Sequence, residues 1–217
     1  MKPASWRYPL LLLVAFAFVW TVLAVAPWYR QDWLLENVCV FLAVPLFVAT
    51  AHRLRFSNAA YTLLFVFLCL HEIGAHYTYS QVPYDAWIRA ASGHSLDAGL
   101  GFRRNHYDRL VHFLFGFLLL PLAVELFRAR APARGVWMFL MPVLFVEALS
   151  GFFELVEWFA AVVFGGDLGQ AYLGTQGDVW DAQSDMLLAL VGALLMQTLL
   201  SLVAGGTRAP GSAARAS

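Results

Sequence analysis

The chain has 217 residues, of which 61% are hydrophobic and 13% charged, and its 14 basic and 14 acidic residues balance to a formal net charge of zero. Soluble domains carry about 25% charged residues, so a chain this apolar, with its apolar residues in long runs, belongs in lipid. A net charge of zero gives no field for a nucleic acid, and Cys39 and Cys69, both inside apolar runs and outside any Cys-x-x-Cys motif, exclude a zinc-ribbon or thioredoxin-like reading.

Six apolar stretches follow in chain order, each long enough at about 20 residues for a hydrocarbon core of about 30 Å. They are 8–26, 34–50, 58–79, 107–127, 135–164 and 179–204. The first follows Lys2 and Arg7 and ends in Ala24-Val25-Ala26, which has the small-x-small form of a signal-peptide cleavage site. Its apolar run exceeds a typical signal core, and Pro27 follows the cut, so the expectation is a retained helix. Loops are expected over 80–106 and 165–177. The expectation is one all-α domain over 1–204, a bundle of six transmembrane helices, with a disordered cytoplasmic tail over 205–217.

Six spans put both termini and the even-numbered gaps on one side. That side carries Lys2, Arg7, Arg53, Arg55, Arg128, Arg130, Arg134, Arg208 and Arg215, nine cations, against five (Arg30, Arg89, Arg103, Arg104 and Arg109) on the other. The asymmetry predicts cytoplasmic termini in a bacterial inner membrane. The acids were not used to set this topology, yet all except Glu125 and Glu147 fall outside or in the outer halves of spans, as do all histidines except His52. Trp28, Trp33, Trp87 and Trp180 read as an outer aromatic belt, with Trp6 and Trp137 at the inner interface.

The polar residues are spaced for helix faces. Glu72 and His76 are four apart near the outer end of the third span, and Asp108 and His112 are four apart at the start of the fourth. Glu147, Glu154 and Glu157 share a stripe of the fifth, with Ser150 and Gly151 between them permitting close helix approach. Asp178, Asp181 and Asp185 open the sixth on one face. A charge at the centre of a membrane helix costs about 2.5–3.5 kcal/mol on insertion scales. So many groups must therefore face one another, water or a bound ion.

Four segments carry a family resemblance: Trp33-Leu34-Leu35-Glu36-Asn37, the run 70–77, Arg104-Asn105-His106-Tyr107-Asp108-Arg109-Leu110-Val111-His112-Phe113, and Leu173-Gly174-Thr175-Gln176-Gly177-Asp178-Val179-Trp180-Asp181-Ala182-Gln183-Ser184-Asp185-Met186. On these the chain resembles the YjdF-like family of bacterial inner-membrane proteins over nearly its whole length except the tail. The resemblance implies a fold class and a membrane location but no reaction. A weaker likeness, carried by Asp108-Arg109-x-x-His112-Phe113 and by Asp185 followed by Gly192, is to VanZ-like membrane proteins, and no activity is taken from it.

Three functions compete. In the first, Glu72, His76, Asp108, His112 and Asp185 hold a divalent metal such as Zn, Mn or Fe, with Glu154, Glu157 and Asp181 as catalytic carboxylates. Such an ion turns water into a nucleophile near neutral pH. The protein would then be a hydrolase or transferase, and its substrate would be lipid-linked or a small periplasmic molecule. The spacing is neither His-Glu-x-x-His nor the Glu-x-x-His of di-iron bundles. The second function is proton- or ion-coupled transport, with Glu147 and Glu125 as the inward relay. The third is a structural or accessory role, in which the polar groups fix helix packing. The bilayer is the expected surrounding in each case, and protein partners stay open.

Overall fold

The structure, a computed structural model, describes residues 6–206. The tail expected over 205–217 lies almost wholly outside the described residues. Nine helices occur among them, with no strand: α1 (Arg7–Leu23), α2 (Arg30–Thr50), α3 (Asn58–His76), α4 (Tyr84–Ser92), α5 (Leu96–Leu100), α6 (Tyr107–Arg130), α7 (Val136–Phe164), α8 (Gly166–Leu173) and α9 (Asp181–Gly206). Five of these, α2, α3, α6, α7 and α9, are long and apolar enough to cross a membrane, and α1 is apolar but 17 residues long. The two expected loops are partly helical, since they contain α4, α5 and α8. The second span also begins earlier than its apolar run, at Arg30, which draws Asp32 onto the helix one turn before Glu36.

Helix starts follow local capping chemistry. The Ser57 hydroxyl accepts from the Ala60 N–H at 3.1 Å and so caps α3. Glu125, from the far end of α6, then accepts from both the N–H and the hydroxyl of Ser57 at 2.7 and 2.6 Å. Ser95 caps α5 in the same way, accepting from Ala98. Gly93 ends α4 at φ +78°, a left-handed conformation that costs glycine little.

The bundle is built around α6 and α9, which run parallel and nearly touch. A Cβ placed on Gly116 would lie 1.9 Å from the Ala189 carbonyl oxygen, and one on Gly192 would lie 2.1 Å from that of Phe113. Ala189 and Ala193 at this crossing are fully buried. Small residues permit such an approach, and packing drives it where lipid offers no hydrophobic gradient. Below the crossing, Leu120, Ala123, Val124, Val143, Val146 and Ala193 form a dry apolar core.

Around this pair α7 packs on α6 and α9, α3 on α6, and α1 and α2 on α3, while α8 bridges α2 and α7. At one end of the bundle the helices therefore close a ring in the order α2, α3, α6, α9, α7, α8. One face of α7 points outward with Phe152, Leu155, Phe159 and Val162 exposed, the surface expected against lipid. Its opposite face buries Ser150, Glu154 and Glu157.

Candidate functional site

The interior of that ring is polar. Asp32, Glu36, Asn37, His71, Glu72, His112, Glu154, Glu157, Asp181 and Asp185 are all buried, and Asp108 is nearly so. The tightest group is Asp108, His112 and Asp185, whose ligand atoms lie within 4.8 Å of one another. His112 Nε2 is 3.6 Å from Asp108 Oδ1 and 3.5 Å from Glu154 Oε1, so α6 and α7 meet through this one imidazole. Asp185 Oδ1 is buried with no hydrogen-bond partner among the described residues. Glu157 lies within electrostatic reach of Glu154, Asp108, Glu36 and Asp185.

The carboxylates outnumber the cations. Among the described residues only Arg104 and Arg109 form arginine ion pairs with the carboxylates of this interior, and both side chains are largely buried. Arg104 Nη1 is 2.8 Å from Asp181 Oδ1 and 3.4 Å from Asp178 Oδ2. Arg109 Nη2 hydrogen-bonds the same Asp178 oxygen and lies 3.5 Å from Asp181. Outside the spans, the backbone N–H of Trp180 and then the two arginines hold the Asp178 carboxyl below the ordinary aspartate range. Asn105 and Gln176 add two hydrogen bonds across the same seam, at 2.9 and 3.0 Å. Asp181 therefore sits beside the Asp108, His112 and Asp185 group, tied to the arginines.

The sequence-derived residues divide between this group and its surroundings. Asp108, His112, Asp185 and Glu154 come together, with Glu157 beside them. Glu72 is fully buried on the α2 side, where Asn37 Nδ2 donates to its Oε2 at 3.5 Å and its Oε1 has no hydrogen-bond partner among the described residues. His76 turns the other way, and its Nδ1–H donates to the Leu23 carbonyl at the end of α1, at 2.7 Å. The matching spacings of Glu72–His76 and Asp108–His112 therefore do not produce matching environments. His71 uses both ring nitrogens structurally, on the Tyr79 hydroxyl at 2.5 Å and the Glu36 carbonyl at 3.2 Å. His94 is exposed.

Asp32, Glu36 and Asn37 on α2 are the residues that sequence reasoning left out. Asp32 and Asn37 are fully buried and Glu36 nearly so, and both oxygens of Asp32 and Oε2 of Glu36 lack a hydrogen-bond partner among the described residues. Their signal was the Asp32-x-x-x-Glu36 spacing, the same four-residue interval that marked α3 and α6. Trp33, expected in the outer belt, is instead buried against Trp20, with ring centroids 5.4 Å apart.

Residues 8–205 match a family described as a predicted membrane protein family, DUF2238. The chain is similar to the inner membrane protein YjdF of Escherichia coli (strain K12), being 39% identical over 166 residues that cover 76% of this chain and 75% of that protein. No solved structure matches the chain.

Proposed function

The chain belongs to the DUF2238 family of membrane proteins, and we propose that it is a six-span inner-membrane protein whose outer pocket holds a divalent metal and acts as a hydrolase or transferase. Both termini lie in the cytoplasm in this reading, and the substrate is lipid-linked or a small periplasmic molecule. The sixth span is α1. It runs beside α3 for nearly its whole length, with the Tyr8 and Thr62 hydroxyls 2.7 Å apart near one end and His76 on Leu23 at the other. At 1.5 Å per residue it reaches about 25 Å, close to the span of α3. The nine-to-five distribution of cations supports the orientation, and the inner-membrane relative supports the location.

The observation that carries the metal reading is the convergence of Asp108, His112 and Asp185 from two helices to within 4.8 Å. One imidazole and two carboxylates form a mixed nitrogen and oxygen donor set that suits Zn, Mn or Fe. Asp185 keeps an unpartnered oxygen, and among the described residues neither arginine forms an ion pair with Asp108 or Asp185. A bound ion there would supply Lewis-acid activation of water or of a substrate oxygen. Glu154 would hold the His112 imidazole in place and accept a proton, Glu157 would be the reserve base, and Asp181 would anchor the arginines above. Glu72 would act as an outer carboxylate and His76 as a structural tie. The apolar core of Leu120, Val143, Val146 and Ala193 lies inward of the pocket, which weighs against a through-going ion path.

Elemental analysis of detergent-purified protein tests the reading. The wild type should carry about one equivalent of a transition metal. His112→Ala and Asp185→Asn should lose it, and His76→Ala should keep it. An intact, monodisperse wild type that takes up no metal would overturn the proposal.

A further inference from the structure

We propose that Arg104 and Arg109 form a phosphate-recognition edge at the mouth of the pocket, making the substrate class a phosphate ester or phosphoanhydride. As a statement about substrate, this rests on the metal-centre reading above. As a statement about the arginines, it stands on their own geometry.

A guanidinium offers five N–H donors in a rigid fork. Arg104 meets both Asp178 and Asp181 through Nη1 alone. Its Nε and Nη2, the two donors side by side on the other edge, are withdrawn from solvent and have no acceptor among the described residues. Arg109 makes its contacts through Nη2, and its Nε is likewise buried without an acceptor. Buried charged donors without acceptors are costly and rare. Here three of them occur in a pocket rich in carboxylates, none of which turns to meet them.

The two guanidiniums are neighbours, because they share the same oxygens of Asp178 and Asp181. Both lie within electrostatic reach of Asp108, and Arg109 also of Asp185, two of the three metal-ligating candidates. The Nε–Nη2 edge matches two oxygens of a tetrahedral oxyanion, a pairing that lysine cannot reproduce. A phosphate on this edge would lie near the Asp108, His112 and Asp185 group, which would hold the cation. Arginine donors and a metal acting together would stabilise charge developing on a phosphoryl group.

The test titrates full-length protein in a maltoside detergent, which carries no phosphate of its own. The probes are inorganic phosphate and dihexanoyl phosphatidic acid, with dihexanoyl glycerol as the phosphate-free control. Binding is read by calorimetry and metal content is measured on the same samples. The wild type should bind a phosphate probe and not the control. Arg104→Lys keeps the charge facing Asp181 and loses the fork, so it should weaken binding about tenfold or more. Arg109→Lys is the second variant. Binding of inorganic phosphate supports a soluble phosphate compound as ligand, and binding of the phosphatidic acid alone supports a lipid headgroup. Failure of the wild type to bind either probe, or undiminished binding by both variants, overturns the inference. Metal retained without phosphate binding sinks this inference and leaves the metal centre standing. Arginine-dependent phosphate binding in protein that takes up no metal does the reverse.

Discussion

Replacing Gly116 by alanine should empty the proposed metal site without touching a proposed ligand. The added carbon would stand 1.9 Å from the Ala189 carbonyl oxygen and 2.8 Å from the Ala193 nitrogen, both backbone atoms that cannot swing aside. Ordinary contact begins at 3.4 Å, so α9 must retreat from α6 by about the difference, 3.4 − 1.9 = 1.5 Å. Gly116 lies one turn below His112 and Ala189 one turn below Asp185. The retreat therefore passes directly into the gap between two proposed ligands, which starts within 4.8 Å. Metal sites tolerate ligand displacements of about 0.2 Å, so metal affinity should fall by well over tenfold. Overpacking should cost about 1–3 kcal/mol of stability, leaving a folded protein to measure. The assay is metal titration of the purified variant beside Gly99→Ala, whose added carbon meets nothing within 4 Å. Wild-type affinity and stoichiometry in Gly116→Ala, with both proteins melting cooperatively, would show that the α6–α9 spacing does not set the site.

Two further outcomes follow from contacts away from the pocket. Glu125→Ala removes the acceptor for the Ser57 N–H and hydroxyl that hold the start of α3. Hydrogen bonds to a charged group are worth about 1.5–3 kcal/mol, so the melting temperature should drop measurably while metal content stays, and an unchanged melting curve would count against the cap. Asp85, on the surface between α4 and α5, is held below the ordinary aspartate range by the Asp97 N–H, the Ser95 hydroxyl, the Leu96 N–H and Arg89. A lowered folded-state value means that its support is complete above the ordinary value of about 3.9 and is lost only as pH falls through the lowered one. Hydrogen exchange over residues 84–100 should therefore be slow at neutral pH and accelerate in strong acid. Asp85→Asn should bring that acceleration to neutral pH.

Much of the polar end could be read from the sequence because helical spacing and span parity are independent of tertiary detail. Asp108 and His112 had to share a face, and so did Glu154 and Glu157. Span parity then placed both pairs and Asp185 at one end. Spacing does not say which neighbour a face will meet. Glu72 and His76 obey the same four-residue rule, yet the last turn of α3 meets α1 at His76 and α2 at Glu72. Asp32 was missed because the apolar run was taken to begin after it, at residue 34, and Glu36, inside that run, was not assigned to the site because its four-residue partner lay outside the run. In a bundle whose interior is polar at one end, a charge at the start of a span belongs to the helix, as Asp32 does. The helices α4, α5 and α8 were missed because five to nine residues are too few for a periodic signal.

Depth orders the chemistry of the pocket. Each residue along α6 adds about 1.5 Å. Arg104 precedes the helix, Asp108 and Arg109 lie in its first turn, and His112 follows one turn further along. Beneath His112, Gly116 closes the gap to α9 and the apolar core begins. The arginines, paired with Asp178 and Asp181, thus lie at the start of α6, and the Asp108, His112 and Asp185 group extends further along the helix. The side toward α2 and α7 is shut by α8. A Cβ on Gly169 would lie 2.9 Å from the Ala161 carbonyl oxygen, so α8 is pressed against α7. Tyr172 fills the space between, buried and within electrostatic reach of both Glu36 and Glu157. The outward face of α7 is exposed and its flank is covered by α8, while the seam of Arg104, Asn105, Gln176 and Asp178 forms another edge of the polar interior. An anion that binds the two arginines as proposed would have to displace Asp178 from them.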